Sequence, residues 1–269
     1  MPDLSVLTLN IAAASLTKAQ RQLGWLAGRP EDVFALTETT TGDGSRFLAE
    51  AFTTAGYTVT FPPHGPGDRG VMIVSKLAAT PDKLTTALDY LPARAAGINI
   101  MTDQGPVRIL AAYVPSRDAS PVKIERKRRW LTDFGQALAD THGDPTLLVG
   151  DLNILEPDHQ PHYRIFQAFE YDFYQALTTH HDLVDAFRHL HPNLVEHSWV
   201  GRTGDGYRYD HAHCSPSLAP HLVACDYVHD TRHQRLTDHS GLTVRLTLTS
   251  TQPLLTSNPA EHASPPTLF

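Results

Sequence analysis

The chain has 269 residues, 41% of them apolar and 19% charged, so it can bury a substantial core and is not a disordered polyelectrolyte. The net charge of −7 excludes a molecule coated in basic surface, and affinity for a polyanion would have to come from a local patch or a bound cation. No stretch approaches the ~20 apolar residues that cross a bilayer. Met1-Pro2-Asp3 leads into an apolar run without the pattern of a signal peptide, and only two cysteines occur, Cys214 and Cys225, which fits a reducing cytoplasm better than a disulfide scaffold.

Ser5 to Leu9 alternates and is rich in β-formers, which predicts a strand ending at Asn10. Lys18 to Leu26 reads as a helix. Val33 to Leu36 is a short apolar strand delivering Thr37-Glu38. Ser45 to Ala55 is a second helix with Ser45 as its N-cap. Tyr57 to Phe61 and Gly70 to Ser75 are strands, separated by a Pro- and Gly-rich loop over Pro62 to Gly67. Ala96 to Met101 and Val107 to Tyr113 form a hairpin, and Pro121 to Asp140 is a long amphipathic helix. Thr146 to Val149 is a strand feeding Gly150-Asp151. His162 to Leu177 holds another helix, and Arg208 to Ser215 and Leu242 to Leu248 are the last strands. Strands and helices interleave while hairpins are also present, which points to a layered α/β sandwich. Residues 1–248 read as one domain. From Thr249 to Phe269 the composition turns to Thr, Ser and Pro, which predicts a disordered tail.

Several apolar strands end in a residue capable of chemistry: Asn10, Glu38, Tyr113, and Asp151 with Asn153. Strand ends are where α/β proteins assemble sites, and carboxylate oxygens suit a hard cation such as Mg²⁺. In Gly150-Asp151-Leu152-Asn153 the two polar side chains sit two apart, so on extended backbone they point the same way and can handle one water. The same spacing also suits an Asx-turn that serves only the backbone. In Thr237-Asp238-His239 an acid lies beside an imidazole, and Asp210 is a candidate partner to hold that ring and favour its charge. A rival cluster of His211, His213, Cys214, His221, Cys225 and His229 offers soft ligands for zinc, but in no spacing of a known finger. The basic run Lys123, Arg126, Lys127, Arg128 and Arg129 reads as a solvated helix face, or as a contact to a phosphate backbone.

Taken in order, these segments resemble the endonuclease/exonuclease/phosphatase superfamily, and within it the exodeoxyribonuclease III type of abasic-site nuclease. The carriers are Leu7-Thr8-Leu9-Asn10, Leu36-Thr37-Glu38-Thr39, Gly70 to Ser75, Tyr113-Val114-Pro115, Gly150-Asp151-Leu152-Asn153, Asp185-Ala186-Phe187-Arg188, His197-Ser198-Trp199, Tyr207-Arg208-Tyr209-Asp210 and Thr237-Asp238-His239. The resemblance implies a four-layer αββα sandwich with two mixed sheets face to face, Mg²⁺ or Mn²⁺ as cofactor, and phosphodiester hydrolysis by an activated water. It implies Glu38 as the principal metal ligand, with Asn10 and Asp238 nearby. Asp151 then positions or deprotonates the water, assisted by Asn153. His239, held by Asp210, contacts the scissile phosphate beside Tyr113, and Trp199 and Tyr207 line a pocket for a flipped-out abasic sugar. Thr37 stands where the family often has Gln, and Tyr209 where an apolar residue is common. The implied partner is duplex DNA with abasic sites or 3′ ends, cleaved by a monomer. RNA, a nucleotide or a lipid phosphate are alternative substrates on the same fold, and a binding module without catalysis is a distant third.

Overall fold

The computed structural model describes residues 3–139 and 143–261. In chain order the main elements are β1 (Leu4–Asn10), α1 (Leu16–Ala27), β2 (Val33–Thr39), α2 (Asp43–Thr54), β3 (Thr58–Thr60), β4 (Gly70–Ser75), β5 (Ala79–Pro81), β6 (Ala95–Thr102), β7 (Gly105–Tyr113) and α3 (Pro121–Ala139). There follow β8 (Thr146–Asp151), α4 (Ala168–Thr179), β9 (Val184–Asp185), α5 (Ala186–Leu190), β10 (Trp199–Val200), β11 (Gly206–Tyr207), β12 (Asp210–Cys214), β13 (Leu222–Val228), α6 (Asp230–His233) and β14 (Gly241–Leu246). One six-stranded sheet runs β13-β14-β1-β2-β4-β3, the other β5-β6-β7-β8-β12-β9, and β10 with β11 makes a short ribbon. Both large sheets are mixed: β1 pairs parallel with β2 and antiparallel with β14, and β7 pairs parallel with β8 and antiparallel with β6.

The layers follow from the period-2 alternation of strand side chains. Val6, Val33, Ala35, Ile109, Leu147, Val149 and Val244 face inward and form the core shared by the two sheets. Their neighbours Leu7, Leu9, Phe34 and Leu36 face outward and pack with Leu23, Leu26, Leu48 and Phe52 of α1 and α2. On the other side Leu110, Ala112 and Leu148 pack with Trp130, Phe134, Phe173 and Leu177 of α3 and α4. Three apolar contact layers therefore hold four structural layers, each fully buried aliphatic side chain contributing about 1.5–3 kcal/mol. This is the αββα sandwich expected from the motifs.

Alternation also places the site. Asn10 keeps the inward phase of Val6, Tyr113 that of Ile109, Asp151 that of Val149, and Asp210 that of Ala212. The strand ends thus point polar groups into the gap between the sheets, beyond the last apolar layer.

Four expectations change. The helix foreseen over His162 to Leu177 begins at Ala168, because Gln167 and Glu170 form a capping box that starts it there, and residues 162–167 are loop. Ser45 is not an N-cap; Gly42 precedes α2, and Ser45 Oγ accepts from Thr40 N–H (3.0 Å). The strand β13 escaped sequence reading because a bulge at Leu222/Ala224 breaks its alternation. The tail foreseen as disordered from Thr249 is instead pinned over residues 249–261. Asp103 N–H donates to Thr249 O (2.9 Å), Leu254 N–H to Lys76 O (2.9 Å) and Ser257 N–H to Ala55 O (2.9 Å), so main-chain groups supply the order that the side chains lack. Residues 140–142 and 262–269, which include the end of the foreseen third helix and of the tail, lie outside the described residues.

The soft-ligand cluster is also dispersed. Cys214 and Cys225 lie in the inter-sheet core, whereas His211 and His213 alternate to the opposite face of β12 against Tyr174. Burial pushes the His211 and His213 imidazoles down, to about 3 and about 4. Neutral when folded and titrating near ~6.5 when unfolded, they contribute stability that is fully present above pH ~6.5 and is lost as pH falls through that value. Neither His213 nitrogen finds a hydrogen-bond partner among the described residues. His213→Leu is therefore expected to outlast the wild type in urea by a margin that widens by about 1.4 kcal/mol per pH unit between pH 6.5 and 4.5. A margin independent of pH would show that His213 takes up a proton in the folded state.

Candidate active site

Asp151 is 1% exposed at the end of β8. Its Oδ2 accepts from Asn10 Nδ2 (2.8 Å), and its Oδ1 accepts from the backbone N–H of Asn153 (3.0 Å). The second bond closes the Asx-turn that the spacing also suits, and it coexists with the first. Asn153 lies beyond the strand with φ 48°, so the two side chains do not share an extended face as the spacing suggested; the Asn153 amide donates to Val114 O (3.1 Å). Gly150 carries φ 146°, and a Cβ there would sit 2.0 Å from Ala112 O, so only glycine lets β8 lie this close to β7.

Asp210 is fully buried and faces Asp151 in the antiparallel register of β8 with β12. His239 Nδ1 lies 2.7 Å from Asp210 Oδ2, and suitable ligand atoms of Asp151, Asp210 and His239 all fall within 4.8 Å of one another. Burial opposes charge on His239, yet the Asp210 carboxylate, helped by Asp151 and Asp238, pushes the imidazole up to about 9. Burial first, and then the facing Asp210 carboxylate, push the Asp151 carboxyl upward. Ser198 ties these segments together. Its hydroxyl accepts from Tyr209 N–H and Asp210 N–H (both 3.0 Å), and its carbonyl accepts from Ser240 N–H (2.7 Å).

Glu38 sits where β2 breaks alternation, with φ 59° and a register shift against β4. One carboxylate oxygen accepts from Asn10 Nδ2 (3.0 Å) and the other from Arg69. Asn10, its own oxygen held by Ala12 N–H (2.7 Å), thus bridges Glu38 and Asp151. Tyr113 is 2% exposed; burial pushes its phenol up, and the Arg94 guanidinium stacks 4.7 Å from its ring centre. Asp238 Oδ2 accepts from the indole N–H of Trp199 (2.9 Å). Glu38, Tyr113, Asp151, Asn153, Trp199, Tyr207 and His239 line one cavity of about 420 Å³. Asn10, Asp210 and Asp238 stand behind its wall, each in contact with a lining residue.

Sequence reading missed part of this cavity. Tyr209 stacks on Tyr207 (5.1 Å, 10° between planes), and Arg69, Ser116, Arg117, Lys127, Ile165, Phe166 and Glu170 complete the lining. Lys127 belongs to the run read as a solvated face, yet its side chain is 1% exposed, 2.7 Å from Glu170 Oε1 and 2.5 Å from Asn153 O. The signal was the spacing Lys127, Trp130, Leu131, Phe134, which puts Lys127 on the apolar stripe of α3. Lys123, Arg128 and Arg129 of the same run pair on the surface with Asp118, Glu125 and Asp133.

The donor set suits a divalent cation. Four carboxylates, from Glu38, Asp151, Asp210 and Asp238, gather here; Arg69 pairs with Glu38 and His239 with Asp210, and Asp210 Oδ1 finds no donor among the described residues. Excess buried negative charge presented by oxygen ligands is the environment in which Mg²⁺ or Mn²⁺ binds.

A carboxylate–imidazole cluster at strand ends, beside oxygen ligands for a divalent cation, can take a proton from water and balance negative charge on what the water attacks. The profile described as the Endonuclease/Exonuclease/phosphatase family matches residues 7–239, and the chain belongs to that family of phosphodiesterases and nucleases. Among solved structures it is similar to an AP endonuclease from Archaeoglobus fulgidus (23% identity, TM-score 0.74). It is also similar to the 3′ phosphatase NExo from Neisseria bound to a product DNA hairpin (24%, 0.75), and to the 3′-5′ exonuclease NExo from Neisseria meningitidis (25%, 0.75). Each comparison covers 90% of this chain and 99% of the other.

Proposed function

We propose that this protein is a metal-dependent DNA nuclease of exodeoxyribonuclease III type, cleaving 5′ to abasic sites and trimming 3′ ends of duplex DNA in repair. The observation that carries the reading is the convergence of Asp151, bonded to Asn10, and the Asp210–His239 pair on the cavity that Trp199 and Tyr207 wall. Asp151, with its carboxyl raised toward neutrality, takes the proton from the attacking water. The water oxygen bonds to phosphorus, the bond from phosphorus to the 3′ oxygen breaks, and that oxygen leaves with the electron pair and takes a proton from solvent. The released strand keeps a 3′ hydroxyl and the excised side keeps the 5′ phosphate. The His239 imidazolium and the un-ionised Tyr113 hydroxyl donate to the phosphate oxygens as charge grows on them. Asn153 orients the water beside Asp151. Glu38, with Asn10 and Asp238 near it, would hold Mg²⁺ or Mn²⁺, which supplies neutralisation of phosphate charge.

The aromatic wall supports a sugar or base entering from an opened duplex, since ring faces stack on either. Arg69 on the cavity and Arg126 beside it supply the local positive charge that the acidic whole requires. The buried free thiols of Cys214 and Cys225 are consistent with a cytoplasmic setting.

With Mg²⁺ the purified protein is expected to nick duplex DNA 5′ of an abasic site. EDTA should lower that rate at least about a hundredfold, the equivalent of roughly 3 kcal/mol of lost charge stabilisation. Cleavage confined to single-stranded RNA or a phosphoinositide would transfer the same chemistry to those substrates.

A further inference from the structure

Arg69 lies on the carboxylate of Glu38 and lines the same cavity as Tyr113. Together with Asn10 it leaves neither Glu38 oxygen without a donor. A hard divalent cation needs an anionic oxygen turned to it and tolerates no guanidinium in the same place. A cation taking Glu38 therefore competes with Arg69 for the carboxylate and repels its guanidinium. The structure makes that exchange easy. The Arg69 side chain is 45% exposed, and ion pairs this exposed are weak and readily broken. Its backbone, by contrast, is anchored: Gly70 packs so closely that a Cβ would sit 2.3 Å from Ala93 O. The guanidinium can swing only from a fixed pivot, and that pivot lies on the cavity that Tyr113 and His239 also line. A planar guanidinium released there is suited to bidentate contact with a phosphate.

We propose that Arg69 is a tethered counter-cation, holding the Glu38 carboxylate until a divalent ion takes it and then turning to the substrate phosphate. It is a positioning residue for the metal ligand and a binding residue for the substrate. The inference rests on Glu38 being the metal ligand, and the test separates the two.

Mn²⁺ binding to the full-length protein without DNA is followed by the electron paramagnetic resonance of free Mn²⁺, for the wild type, Arg69→Gln and Glu38→Gln. Arg69→Gln is expected to bind Mn²⁺ about three- to tenfold more tightly, while its KM for duplex DNA at saturating metal rises about tenfold. These opposite signs are diagnostic, because a merely structural Arg69 would weaken both affinities on removal. Unchanged or weaker Mn²⁺ binding by Arg69→Gln, with binding abolished in Glu38→Gln, overturns the role of Arg69 alone. Wild-type Mn²⁺ affinity in Glu38→Gln overturns the reading of Glu38, and the proposal with it.

Discussion

Asp151→Asn is expected to lower kcat on duplex DNA by about 10³-fold, within the 10²–10⁴ range of a lost general base, with KM within a few-fold of wild type. An amide keeps the size of the carboxylate, and its one oxygen can still accept the 2.8 Å bond from Asn10, but its NH₂ then faces the Asn153 N–H and that 3.0 Å bond is lost. The side chain also loses the ability to take a proton. The variant also removes one of two buried carboxylates that face each other across β8 and β12, and burial and Asp210 already disfavour the Asp151 charge. Relief of that pair offsets the lost Asn153 bond, so its thermal midpoint is expected to stay close to that of the wild type. Steady-state kinetics together with a melting curve check both halves. Activity within tenfold of wild type would sink the proton-acceptor role, and a collapse in the midpoint would mean that Asp151 serves the fold first.

The second large effect concerns stability. Arg208 is 1% exposed and lies between Tyr207 and Tyr209 of the cavity wall, two residues before Asp210. Its guanidinium bonds Glu156, Asp185 (2.6 Å) and the Tyr174 hydroxyl (3.0 Å). Against the desolvation of burial, Arg188 and Arg208 hold the Glu156 carboxyl down at about 2, and Arg208 holds that of Asp185 well below the usual carboxylate range. Arg208→Met fills a similar volume but leaves Asp185 buried without its main counter-charge. Removing one partner of a buried ion network costs about 3–5 kcal/mol. Urea unfolding at pH 7 is expected to show a loss of that order, and activity should fall with it, since Asp210 and Tyr209 sit on the same segment. A loss below about 1 kcal/mol would mean that Asp185 and Glu156 are satisfied without Arg208.

This network also gives a purpose to residues that the sequence marked only by resemblance. Asp185 caps α5 by accepting from Arg188 N–H (2.9 Å), and Arg188 reaches back to Glu156. The segment Asp185-Ala186-Phe187-Arg188 thus ties α5 to the loop after β8 and braces the strand that carries Asp210. It is support for the site, one shell away from the chemistry.

Much of the architecture was legible because strand alternation is a local property. Val6 against Leu7, Leu147 against Leu148 and Val33 against Phe34 each assign a face from neighbouring residues alone, and those faces define the layers. The polar residue closing each apolar run, Asn10, Tyr113 or Asp151, was visible for the same reason. Where local pattern failed, a long-range partner had taken over. The edge strand β13 pairs with β14 through a bulge, and residues 249–261 are ordered by main-chain bonds to turns and element ends more than a hundred positions away. Lys127 reads as one more cation in a basic run until Glu170, from another helix, is placed 2.7 Å from it.

The sequence by itself determined the class of fold, the strand ends that bear chemistry and, through their order, the family. Only the tertiary structure decided how these residues meet. It set Asp210 rather than another acid against His239, let Asn10 bridge Glu38 and Asp151, sent His211 and His213 to the far face from the cysteines, and laid Arg69 on Glu38. The physical reason is range: propensity and periodicity act over a few residues, whereas the charge and hydrogen-bond partners of a buried group are chosen by sheet register between segments distant in the chain.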